Sequence, residues 1–78
     1  MNSKKILTAL ATRYQGEIQS SLANIDVYMG NPAGIGEHPD IAGAVDEEIV
    51  KLSEAIEKYQ TVKSFSEGEL DYLFNDTL

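Results

Sequence analysis

The stretch that decides the fold is residues 30–39, which read GNPAGIGEHP. It holds three of the six glycines of the chain and both of its prolines. Glycine suits turns with positive φ and proline cannot continue a helix, so this composition is typical of a loop. We expect a first helix to end beside Gly30 and a second to open at Pro39, with a loop over residues 30–38 between them.

Helical periodicity extends in both directions from this loop. Before it, apolar residues at spacings of four and three predict a helix over about residues 3–29. After it, the same spacing predicts a helix over about residues 39–64, with Asp40 in its first turn, where negative charge is favoured. The two stripes comprise Ile6, Leu10, Tyr14, Ile18, Leu22, Ile25 and Met29, and then Ile41, Val45, Ile49, Leu52, Ile56, Tyr59 and Val62.

A short third helix is predicted near the end of the sequence. Ser66 and Glu69 have the spacing of a capping box, which indicates a helix over about residues 67–76. Gly68 weakens this pattern, because glycine disfavours helix interiors. The apolar side of this helix would consist of Leu70, Leu73 and Phe74.

The length of the loop allows the two long helices to fold back on each other as an antiparallel hairpin. Pairing about the loop centre places Tyr14 near Ile56 and Leu10 near Tyr59. We therefore predict an all-α single domain, built from a hairpin of long helices and a short C-terminal helix. Two helices cover one side of each stripe, so we expect self-association into a helical bundle, with a dimer favoured over a monomeric three-helix protein.

Composition and charge argue against several classes of function. The 78 residues carry thirteen acids against six bases, a net charge of −7. Direct binding of nucleic acid is not expected, because phosphates must be neutralised by Lys and Arg. An anionic membrane surface would repel the chain for the same reason, and no apolar run approaches the roughly 20 residues of a membrane span. The first residues lack the features of a signal peptide, which predicts a cytoplasmic location.

Catalytic and metal-binding patterns are weak. The chain has no cysteine and one histidine, His38, which gives no basis for a Ser-His-acid or thiolate site. Glu37, His38, Asp40 and Asp46 form a thin ligand set without a known metal-site spacing. We therefore expect a protein that is not an enzyme, with no catalytic residues, metal or cofactor.

The clearest surface feature is an acidic pole at the loop end, formed by Glu37, Asp40, Asp46, Glu47 and Glu48. Residues 17–50 hold seven acids and no Lys or Arg, and a basic protein surface is the natural partner for such a pole. Glu47 should face solvent, paired with Lys51 four residues later. Ile35 at the loop tip could anchor in a partner or tuck between the helices. The candidate partner-binding residues are Ile35, Glu37, His38, Asp40, Asp46, Glu47 and Glu48.

The loop and its surroundings also carry a family resemblance. The run NPAGIGEHPDI at residues 31–41, after a helix ending NIDVY at residues 24–28, resembles small proteins of tailed bacteriophages. The similarity covers roughly residues 14–62. It implies a phage origin and a bacterial cytoplasm during infection, and it carries over no functional residue.

Three functions are open at this point. The leading hypothesis is a phage accessory protein that binds a host or phage protein through its acidic pole. The second is a minor structural or assembly component of the virion, in which the hairpin packs into a larger array. The third is a mimic of nucleic acid, which would require carboxylates spaced like phosphates.

Overall fold

The computed structural model describes residues 3–30 and 40–75, and every element in them is helical. The helices are α1 (Ser3–Gly30), α2 (Ile41–Ser66) and α3 (Asp71–Asn75). α1 and α2 pack against each other along their length. The predicted all-α hairpin with a short third helix is therefore confirmed. The predicted loop after Gly30, with the candidate residues Ile35, Glu37 and His38, lies outside the described residues.

The seam between the two long helices follows a regular alternation of four- and three-residue spacings. This is the heptad pattern of coiled coils, in which one stripe of each helix faces the other. In α1 the buried and half-buried residues with this spacing are Leu7, Ala11, Tyr14, Ile18, Ser21, Ile25 and Tyr28. In α2 they are Ile41, Val45, Glu48, Leu52, Ala55, Tyr59 and Val62.

The predicted stripes are partly wrong, because several large apolar residues lie beside the seam. The exposed members are Ile6, Leu22, Met29, Ile49 and Ile56. Small and polar residues occupy the seam at these levels instead: Ser21 is 4% exposed, Ala55 is 2% exposed and Glu48 is 7% exposed. Small seam residues let two helices approach closely, and the larger neighbours are then displaced to the side of the contact.

The contacts between the helices run antiparallel, as predicted, but in a displaced register. The Asn24 amide donates to the Glu48 carboxylate over 3.0 Å, and the Gln15 amide donates to the Tyr59 hydroxyl over 3.3 Å. Tyr59 therefore contacts Gln15, where pairing about the loop centre predicts Leu10. Polar contacts across the seam contribute to this register, and apolar spacing alone does not reveal them.

Helix α2 begins with a side-chain cap. Asp40 is the N-cap residue, and its carboxylate accepts a hydrogen bond from the Gly43 backbone N–H over 2.7 Å. A Cβ on Gly43 would lie 2.7 Å from the Asp40 Cγ, so this close approach suits glycine. The prediction that Asp40 lies inside the first turn is wrong: it lies just before the turn and binds a backbone N–H there.

Helix α2 ends in a Schellman turn, and the predicted capping box is wrong. The Gly68 N–H donates to Phe65 O over 3.1 Å and the Glu69 N–H donates to Ser64 O over 3.0 Å, with Gly68 at φ 75°. Ser66 is the last residue of α2 and its hydroxyl donates to Val62 O, which leaves α3 to begin at Asp71. The Phe65 and Phe74 rings lie 6.0 Å apart, so α3 packs back on the end of α2.

The resulting molecule is long and thin. Its principal dimensions, measured on Cα atoms, are 56 × 23 × 14 Å, and its radius of gyration is 17.3 Å. A compact domain of this length would have a radius of gyration of about 11.5 Å. The hairpin is thus a single layer of helices, whereas domains usually bury a core between two layers.

Candidate protein-interaction site

Exposed carboxylates lie on the two helix ends next to the predicted loop. Asp40, Asp46 and Glu47 belong to the predicted acidic pole, and the structure adds Asp26. Asp26 lies in the penultimate turn of α1, Asp40 caps α2, and Asp46 and Glu47 lie in the second turn of α2. All four are exposed. Asp40 is occupied by its bond to Gly43, which leaves Asp26, Asp46 and Glu47 as the carboxylates best placed to meet a partner. We call these three residues the acidic end.

Glu48 occupies a different position from the acidic end. It is buried in the seam, where its carboxylate accepts hydrogen bonds from Asn24 over 3.0 Å and from Lys51 over 3.2 Å. The hydrogen bond from Asn24, followed by that from Lys51, lowers the pKa of Glu48 below its usual range. Lys51 thus pairs with Glu48, where the sequence predicts Glu47. Glu48 joins the two helices, and a direct role in binding a partner stays a prediction.

A shallow groove of about 640 Å³ runs along one side of the seam, next to Glu48. It is lined by small residues and by charged residues of both signs, including the Arg13–Glu17 pair at 3.8 Å. The small lining residues are Gly16, Ser20, Ser21 and Ala55, and the charged ones are Arg13, Glu17, Glu48, Lys51, Glu54 and Lys58. Sequence reasoning missed this groove, although the cluster of small residues in the middle of α1 is its signal.

The groove offers hydrogen-bonding groups but a balanced charge. Lys58 also lies over the Tyr14 ring, 5.8 Å from its centroid, at the end of the groove nearer the start of α1. Within residues 3–30 and 40–75, no group of three or more His, Asp or Glu side chains is placed to hold a metal ion. These features do not select one class of small ligand.

The opposite side of the seam is apolar and exposed. On this side, each apolar residue comes one position after a seam residue, as Leu22 does after Ser21; the others are Ile49 and Ile56. On the groove side, each residue comes three positions after a seam residue, as Asn24 does after Ser21; the others are Lys51 and Lys58. At 100° per residue, these two sets lie on opposite flanks of the hairpin. Met29 follows Leu22 by seven residues and continues the first set. We call Leu22, Met29, Ile49 and Ile56, which are 38% to 68% exposed, the apolar flank.

Helix α3 lies on the other side from this flank. Phe65 follows the seam residue Val62 by three, so it belongs to the groove side of α2. Its ring contact with Phe74 therefore places α3 at that side of the hairpin end. Tyr72 and Leu73 of α3 are also exposed, but they are remote in sequence from the apolar flank. The apolar flank thus stays uncovered by the described part of the chain.

Comparisons with known proteins found no relative of this chain. No protein-family model, curated protein or solved structure matches this chain. In the parts of the chain that the structure describes, neither long helix has a stretch apolar enough to cross a bilayer.

Proposed function

We propose that this chain is a non-enzymatic accessory protein that binds a protein partner with a basic surface through its acidic end. The observation that supports this most directly is the exposure of Asp26, Asp46 and Glu47 at one end of the hairpin. Residues 17–50 contain no Lys or Arg that could neutralise them. A cluster of one sign steers a partner of the opposite sign into contact and raises the association rate.

The position of the acidic end suits docking of a partner. Asp26 is on α1 and Asp46 and Glu47 are on α2, so two helices hold the carboxylates without any intervening salt bridge among the described residues. The neighbouring Glu48 is held in the seam, so it stabilises the helix pair beneath this surface. Rim charges of this kind act mainly on the association rate and are screened by salt.

The setting we propose is a bacterial cell infected by a phage. The support for it is the similarity of residues 31–41 to small proteins of tailed bacteriophages. The partner would then be a host or phage protein in the bacterial cytoplasm. Ile35, Glu37 and His38, next to the acidic end in sequence, are included in the proposed binding surface.

The test is reversal of charge at the acidic end. In Asp46→Lys combined with Glu47→Lys, we expect partner retention to fall at least about tenfold, because two favourable contacts become repulsive. The matched control is Glu54→Lys combined with Glu57→Lys, which makes the same charge change on exposed residues in the middle of α2. The measurement is affinity capture from bacterial lysate with quantitative mass spectrometry, repeated at several salt concentrations.

The comparison of the two variants decides the outcome. Proteins retained by the wild type and the control, but lost by the acidic-end variant and at high salt, support the proposal. Equal retention by all three chains contradicts it. Loss with the control instead would move the binding surface to the groove, where Glu54 lies.

A virion or assembly component is the second candidate. The single-layer shape, 56 Å long and 14 Å thick, favours it, because thin helical hairpins can pack side by side in an array. Detection of the chain in purified phage particles at a fixed copy number would support this role. Its presence in infected-cell lysate, with none in particles, would favour the accessory role.

A further inference from the structure

We propose that the apolar flank is a homodimer interface, on which the flank of a second copy of this chain docks to form a four-helix bundle. Leu22, Met29, Ile49 and Ile56 form its apolar centre. Two residues of the acidic end, Asp26 and Asp46, border this surface, since each lies one helical turn from a flank residue. The apolar residues carry the inference, so it does not rest on the proposed function.

The surface area of the chain supports a second copy as the occupant. The accessible surface is 5971 Å², whereas a compact monomer of 8.6 kDa has about 4,700 Å². The excess, about 1,300 Å², is comparable to what one partner contributes to a substantial dimer interface, for which about 800 Å² is standard. A flank-to-flank dimer would bury part of this excess and would supply the second helical layer that the hairpin lacks.

The distribution of charge also favours self-docking. The chain has a net charge of −7, so two copies repel each other unless the contact avoids carboxylates. Asp26 and Asp46 lie at the margin of the flank, one helical turn from Leu22 and Ile49. In the described helices, the row of positions that contains the flank residues themselves is free of acids. These positions hold Thr8, Gln15, Leu22 and Met29 in α1, and Ala42, Ile49, Ile56 and Lys63 in α2.

The apolar centre of the flank suits a second copy of the chain. The carboxylates of Asp26 and Asp46 border the flank at its loop end, whereas the row through Leu22, Ile49 and Ile56 provides none for a basic partner. In a two-fold symmetric dimer the same patch meets itself, so a patch that is apolar and free of acids is self-complementary. Apolar stripes of this width are typical of helices that face two neighbours in a bundle.

The first test places a charge on the flank and compares it with a neighbouring position. In Ile49→Glu we expect the dimer dissociation constant to rise at least about 100-fold, because the new carboxylate would be buried without a partner. The matched control is Val50→Glu, an identical charge change at an exposed residue one position further round α2. The control should change the constant by less than about threefold, as measured by sedimentation equilibrium. Circular dichroism confirms that each variant keeps its helices.

The second test does not depend on a destabilising variant. Because the chain has no cysteine, Ile49→Cys and Val50→Cys each introduce a single thiol. Above the dimer dissociation constant, alkylation by iodoacetamide should slow at least about tenfold at position 49 and stay unchanged at position 50, with mass spectrometry as the readout. A wild-type chain that is monomeric at all concentrations overturns the proposal. So does a dimer that responds equally at both positions.

Discussion

At the scale of single residues, Glu48 links the fold to pH. Its folded pKa is lowered by the Asn24 hydrogen bond and then by Lys51, so it stabilises the folded state when ionised. This contribution is present above the pKa of an unfolded Glu, about 4.3, and is lost as the pH falls through the lower folded value. The interhelical bond between Asn24 and Glu48 should therefore weaken in acid.

This predicts a specific effect of Glu48→Gln, which removes the titrating group. Between about pH 5 and pH 3, the thermal midpoint of the wild type should fall more steeply than that of the variant. The control is Glu47→Gln, an exposed neighbour without a contact to α1 in the described structure. Parallel pH profiles for the wild type and Glu48→Gln would show that the Glu48 carboxylate does not contribute to acid sensitivity.

Glu48 also shows where reasoning from sequence reaches its limit at this scale. The partner of its carboxylate is Asn24, 24 residues away along the chain, and no local pattern reveals that pairing. A charged residue next to Glu47 on a helix is typical of a solvated surface, so the sequence predicts exposure. Asp46 and Glu47, which make no interhelical contact among the described contacts, are exposed as predicted.

At the scale of secondary-structure elements, two glycines should respond in opposite directions to the same substitution. Gly68 has φ 75° in the Schellman turn, so Gly68→Ala should lower the free energy of unfolding by about 1 kcal/mol. Gly16 lies within α1 and a Cβ there would meet nothing within 4 Å. Gly16→Ala should therefore raise the free energy of unfolding by up to about 1 kcal/mol. Urea denaturation at one protein concentration measures both.

Two changes of equal sign would contradict these conformational assignments. The pair is its own control, since each variant adds one methyl group to the same chain.

The end of α1 near Gly30 was predictable from glycine and proline chemistry. The turn at Gly68 was not, because Ser66 and Glu69 also match a capping box, and the backbone contacts that decide between the two readings involve Ser64 and Phe65.

The local sequence determines that the two long helices form, but it does not determine which of their residues lie in the seam. Apolar spacing predicts both long helices, since each has more than six turns of consistent periodicity. A four–three stripe through Ile18 and Ile25 can pass through either Leu22 or Ser21, however. The sequence favours the more apolar track, whereas close packing of two helices at this level selects Ser21.

At the scale of the whole molecule, the displaced stripe explains why the hairpin has so little core. Among the described apolar residues, Ala55 and Val62 are buried, whereas Leu22, Ile49 and Ile56 are exposed. Small domains of this length are marginal unless other interactions support them, and this chain has no cysteine for a disulfide. Docking of a second copy on the apolar flank would supply this support.

The most direct test of this account is the solution mass of the wild-type chain, measured by light scattering over a concentration series. The account predicts a mass of twice 8.6 kDa that falls towards 8.6 kDa only on dilution. A mass that stays at 8.6 kDa at the highest concentrations would contradict it, because the apolar flank would then remain uncovered by a second copy.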